Sequence, residues 1–182
     1  MRMLMDIRSA QQDVQSTFLR GSVGQAVSGI IWLVSAILGT WVSERSAILV
    51  LVLAGMFIFP LTQLTLRMLG HSGGLPKGHP MNALAMQVAF IVPLCLPVIG
   101  AASLYKLNWF YPAFMLIVGV HYMPFIFLYG MWEFAVLAAV LIFGGVGIGM
   151  FLPEPFVTGG WYTALALLVF ALWVRMHPKY SK

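Results

Sequence analysis

Six apolar runs separated by polar breaks dominate the chain, at residues 21–42, 47–68, 82–103, 109–129, 133–151 and 160–176. A helix rises about 1.5 Å per residue, so about 20 residues cross a hydrocarbon core about 30 Å thick. The pattern therefore predicts six transmembrane helices, the last two short and crossing with little tilt. The connections are short except for residues 69–81. Consecutive spans are thus expected to be antiparallel neighbours.

The stretch before the first run has a different period. Met3, Leu4, Ile7, Ala10, Val14 and Phe18 recur at spacings of three and four, with Asp6, Arg8, Gln11, Gln12, Asp13 and Gln15 between them. One apolar stripe on an otherwise polar helix suits the headgroup plane, or the mouth of a helix bundle. Gly21 ends it. The first apolar run has no small-residue cleavage site after it and reads as a retained span. The predicted fold is an all-α membrane protein: an amphipathic interfacial helix over 1–20, a six-span domain over 21–177 and a short tail at 178–182.

Composition strengthens this reading. The chain is 61% hydrophobic and 8% charged, with mean hydropathy +0.94, whereas a soluble domain carries about 25% charged residues. So little polar surface cannot cover a water-soluble globule, and the lipid bilayer is the expected solvent. Ten Lys and Arg oppose five Asp and Glu. Their positions, not their sum, carry the information, and nothing points to nucleic acid. With the N-terminus inside, Arg2, Arg8, Arg20, Arg67, Lys77, Arg175, Lys179 and Lys182 lie on the cytoplasmic side and only Arg45 and Lys106 lie outside. Trp41, Trp109 and Trp161 fall at outer span ends; Tyr129, Trp132 and Trp173 fall near inner ones, as aromatic belts would. Both termini are expected in the cytoplasm. Cys95 is the only cysteine, which excludes an intrachain disulfide and a thiolate metal cluster.

Depth along the spans singles out the candidate site. Gln25, Gln63 and Gln87 each lie four or five residues from an inner span end, roughly 6–8 Å below the interface. His121 lies near the middle of the fourth span, and Glu133 opens the fifth at the inner face. The outer half has nothing comparable. Polar groups in lipid are costly and turn inward, so these residues suggest a polar cavity facing the cytoplasm. The competing reading is that the glutamines bond helix to helix and His121 bonds to a neighbouring carbonyl or amide. Pro60, Pro93, Pro97 and Pro124 interrupt the second, third and fourth spans, each freeing a carbonyl. Gly145 and Gly149, four apart in the fifth span, allow close helix contact, within the chain or in a homo-oligomer.

The 69–81 loop holds the remaining candidates. Arg67, His71, Lys77 and His79 offer an anion or a lipid headgroup a basic surface; a solvated basic loop is the plainer alternative. His71 and His79 alone are an incomplete metal site, since zinc usually takes three protein ligands. Gly70–Gly74 matches G-x-S-x-G, and its first four residues resemble the G-x-S-G of rhomboid intramembrane proteases. A transmembrane helix precedes it here, and the only aspartates are Asp6 and Asp13, so no acid–base pair serves Ser72. The Walker spacing is absent, and no cofactor is predicted.

Four stretches together resemble a family of small bacterial integral membrane proteins, known only as a domain of unknown function: GSVGQAVSGIIWLVSA, the Pro60 segment with its glycine-rich loop, KGHP at Lys77–Pro80 and LYGM at Leu128–Met131. The resemblance implies a bacterial inner-membrane setting and no substrate or mechanism. Three functions compete. The first is binding or transport of a small solute or lipid in a cavity between spans one to four. The second is a structural or regulatory membrane partner, acting through the fifth span and the N-terminal helix. The third is an intramembrane enzyme.

Overall fold

The computed structural model describes residues 6–152 and 154–177. Arg2, Met3, Leu4 and the 178–182 tail lie outside the described residues. The described chain is helical: α1 (Ile7–Thr17), α2 (Ser22–Trp41), α3 (Glu44–Gly55), α4 (Ile58–Met68), α5 (Asn82–Tyr105), α6 (Phe110–Tyr129), α7 (Glu133–Phe151) and α8 (Thr158–Met176). Five elements are long and apolar enough to cross a membrane: α2, α5, α6, α7 and α8, with α2 and α6 each extended by a short 3₁₀ turn.

The second apolar run does not form the continuous helix expected. It is α3 and α4, bent by 59° across a break at Met56–Phe57. Pro60 explains the position. It has no N–H to bond the Met56 carbonyl, and its ring crowds that carbonyl, whereas in the first turn of a new helix neither defect matters. A proline three residues into α4 is thus compatible with a helix that restarts there, and incompatible with one running through. Pro93, Pro97 and Pro124 are carried inside α5 and α6 without a break.

Packing is uneven. α6 lies against α7, and α2 against α8 and α3; α5 packs chiefly on α6, apart from the turn that joins them. Gly145 and Gly149 serve the α6–α7 contact. A Cβ on Gly145 would stand 3.0 Å from the Pro112 carbonyl oxygen, and one on Gly149 would stand 3.2 Å from the Pro112 Cβ. The close approach that the small-residue spacing allows is made within the chain, and this face is not free for a second copy.

The helix ends gather into two layers. One holds the turns after α2, α5 and α7, where Trp41 meets Trp161 edge to face at 6.0 Å and Asn108 Nδ2 donates to Glu154 Oε1 at 3.0 Å. The other holds α1, the 69–81 loop and the α6–α7 turn, with Trp132 against Trp173. The two sets of belt aromatics named above therefore sort to opposite ends.

α1 packs across the end of α6. Ala10 and Val14 are buried, whereas Ile7 is exposed. Gln11 Nε2 and Gln15 Nε2 donate to the carbonyls of Phe127 and Tyr129, each at 2.6 Å. These carbonyls belong to the last turn of α6, past the reach of the helical i+4 N–H groups; the Phe127 carbonyl also accepts the Gly130 N–H at 3.2 Å. Of the two placements expected for an amphipathic helix, α1 takes the one over the bundle. The reversal into α2 runs through Leu19 and Arg20 at φ +48° and +58°. Left-handed backbone at non-glycine residues costs about 1–2 kcal/mol each. Arg20 is held in that position by Glu133 Oε1 at 3.4 Å and Gln15 Oε1 at 3.3 Å.

Candidate functional site

Two hydrogen bonds define the geometry between α2 and α6. The Tyr122 hydroxyl donates to Gln25 Oε1 at 2.6 Å, and the Tyr111 hydroxyl lies 2.7 Å from Ser35 Oγ, which itself donates to the Ala47 carbonyl of α3 at 2.9 Å. The pairs are ten residues apart on α2 and eleven on α6, three turns in each case, as two antiparallel helices require. Tyrosine reaches far. It bridges α2 and α6 while their backbones stay apart, and space remains between the two bonds.

That space is a cavity of about 250 Å³, walled by α2, the α3–α4 break, α5 and α6. Most of its lining is aliphatic and aromatic. The polar side chains are Gln25, Ser28, Thr62, His121 and the hydroxyls of Tyr122 and Tyr129, and among the described residues no Lys, Arg, Asp or Glu takes part. Thr62 Oγ1 already donates to the Ile58 carbonyl at 2.7 Å. His121 differs: its ring is directed at the Val88 backbone of α5, and its Nδ1 is buried without a close hydrogen-bond partner. The ring so placed joins α6 to the backbone of α5 within the cavity wall.

The sequence candidates separate here. Gln25, buried at 3% exposure, and His121 line the cavity. Gln63 and Gln87 do not. On α5 the lining positions are 85, 88, 89, 92, 93 and 96, one helical stripe, and Gln87 falls beside that stripe on an exposed surface. Gln63 sits half-buried under the loop, where Gly73 (φ +71°) turns so close that a Cβ would come within 3.0 Å of its carbonyl. Glu133 is buried outside the cavity and pairs with Arg20. The wall is thus less polar than depth alone suggested.

The loop candidates do not form one cluster. His79 is buried: Nδ1 accepts from the Met81 N–H at 3.2 Å, and Nε2 faces Asp13 Oδ2 of α1 at 3.5 Å. An Nδ1 that accepts leaves the proton on Nε2, toward the carboxylate. Arg67 and Lys77 are exposed, and His71 is half-buried. Ser72 Oγ donates to the Gly74 carbonyl at 3.0 Å, which occupies the serine of the G-x-S-x-G match in its own turn. Among the described residues no group of three His, Cys, Asp or Glu is placed to hold a metal ion.

Tyr122 and Tyr111, which hold α2 to α6 beside the cavity, are not among the residues the sequence singled out. Their signal was present: a phenol in an apolar span needs a partner for its hydroxyl, and these two are three turns apart. These features define the class, a multi-pass helical membrane protein with a cavity between its helices. A family model described as "Family of unknown function (DUF7010)" matches residues 7–177, and the chain belongs to that family. No curated protein and no solved structure matches it.

Proposed function

We propose that this is a six-span protein of the bacterial inner membrane, with both termini cytoplasmic, that binds a small molecule in the cavity between its first four spans. The six-span count takes α3–α4 as one broken span. Its support is that α3 starts beside the end of α2, with Ala47 opposite Ser35, while the loop after α4 returns to α1 through His79 and Asp13. A pair that begins at one end of the bundle and finishes at the other traverses it. The distribution of Lys and Arg supports the orientation, and the family resemblance supports the bacterial setting.

The observation that carries the binding role is the cavity itself, with His121 and the Gln25–Tyr122 pair as polar points in a mostly apolar lining. Small-molecule sites share this design, mostly apolar with a few polar groups that fix orientation. The alternative role of a partner acting through the fifth-span glycines loses support, because α6 covers Gly145 and Gly149.

The test is photolabelling of the full chain in lipid nanodiscs with a diazirine-bearing octanol, mapped by peptide mass spectrometry. Label should concentrate on cavity residues such as Trp32, Val92 and Phe114, compete with excess plain octanol, and fall away in Ser28→Phe, which fills the space. Label confined to lipid-facing residues and indifferent to competitor would contradict the binding role.

A further inference from the structure

The walls of the cavity are not equally closed. At the α1 end it meets Phe18, Gly21 and Tyr129, and α1 is pinned over that end by its two glutamine bonds to the terminal carbonyls of α6. At the back, the Gln25–Tyr122 and Ser35–Tyr111 bonds tie α2 to α6. The remaining side lies between the α3–α4 pair and α5. α3 and α4 pack on α2, α5 packs on α6, and the two walls share no extensive packing with each other.

The residues on the two lips of that gap do two things at once. Met56 and Phe59 at the α3–α4 break, and Ala89 and Pro93 on α5, line the cavity and are also exposed on the outside of the bundle. In a spanning protein that outside is lipid. The prolines suit the place. Pro60 fixes where α4 restarts, so the break opens the wall at the level of the cavity. Pro93 has no N–H to bond the Ala89 carbonyl, which leaves an acceptor at the lip.

From these observations we infer that the cavity is filled sideways from the bilayer, through the gap between α4 and α5, by a neutral amphiphile whose hydroxyl or carbonyl head bonds to His121 and Gln25. This rests on the binding role proposed above and adds the route and the ligand class. Neutrality follows from the lining, which has no charged side chain to pair an ionic head; an unpaired charge at membrane depth is costly. Apolar lips demand an apolar portion on the ligand. Size follows from volume: at about 30 Å³ for a water-sized group, 250 Å³ holds about eight such groups. A head and a short length of chain fit, and the rest of a longer tail lies out through the gap.

The experiment follows the rate of cavity labelling by the same diazirine-octanol, added to preformed nanodiscs carrying the full chain. Ala89→Trp narrows the gap at an exposed position and should slow cavity labelling about tenfold, within the range over which association rates vary among variants of one site. Phe59→Ala widens the gap and should speed it. Leu104→Trp, exposed on α5 away from the cavity, should change nothing. At pH 8, octanoate should compete about a hundredfold more weakly than octanol, the ratio set by burying an unpaired carboxylate. Unchanged rates in both lip variants would overturn the route, and equal competition by octanoate would overturn the neutral class; in either case saturable labelling of the wild type leaves the binding role standing. No saturable labelling of the wild type would remove the binding role and this inference with it.

Discussion

Gln25 and Gln87 lie at nearly the same depth in their helices and have opposite surroundings. Gln25 is buried and accepts a hydrogen bond from Tyr122, whereas Gln87 is exposed on the surface of α5. Removing Gln25 takes the acceptor from a buried phenol, so Gln25→Leu and Tyr122→Phe should each destabilise the protein by about 1 kcal/mol, the scale of interhelical hydrogen bonds in membranes. The double variant should cost less than the sum. Gln87→Leu should change stability by less than about 0.5 kcal/mol. Reversible unfolding in bicelles measures all four. A cost for Gln87→Leu as large as that for Gln25→Leu would mean that Gln87 has an inward partner after all. The residue count along a span fixed depth, and depth was legible in the sequence. Direction around the helix was not. A span apolar on every side has no polar face from which to read which way Gln87 points.

The elements show where local sequence is enough and where it is not. The break between α3 and α4 has a local cause in Pro60, yet Pro93, Pro97 and Pro124 sit inside unbroken helices. Neighbouring helices decide between those outcomes by re-satisfying the freed backbone groups, and a sequence does not display its neighbours. The α7 glycines are a similar case: their spacing announced close contact but not with what. The structure gives α6 as the partner and separates the positions sharply. Gly145→Leu drives a side chain toward the Pro112 carbonyl at 3.0 Å and the Met115 Cβ at 3.1 Å, and overpacking of that kind costs about 1–3 kcal/mol. Gly147, two residues on, has nothing within 4 Å of a Cβ. Gly147→Leu should therefore be neutral, to within about 0.5 kcal/mol. Thermal unfolding in detergent distinguishes them, and equal sensitivity at the two positions would contradict the α6–α7 contact. At its N-terminus, the apolar stripe announced the α1 helix. Its seat depended on Gln11 and Gln15, polar residues whose value lies in reaching the terminal carbonyls of a helix more than a hundred residues away in sequence.

At the scale of the molecule, the bundle is tight on one side and loose on the other. α6, α7, α8 and α2 form a continuous packed body, and α5 and the α3–α4 pair attach to it at one edge each. Two tyrosines hold α2 away from α6, and two interrupted elements stand apart, so the cavity is a consequence of the architecture and not of a single side chain. The glutamines and prolines of the first four spans led to the expectation of a polar cavity facing the cytoplasm; the cavity found among those segments is mostly apolar. The sequence overstated the polarity of the wall, because three glutamines at one depth looked like one layer and only Gln25 faces in. The central claim is that an occupiable space lies between α2, the α3–α4 break, α5 and α6. The most direct measurement is a crystal structure of the full chain grown with bromine-tagged octanol, read by the anomalous signal of bromine. A bromine peak among Trp32, Val92 and Phe114, with the alcohol oxygen in reach of His121 Nδ1 or Gln25, is the predicted result. An empty map at that position, with α5 packed directly against α4 and the space closed, would contradict the account.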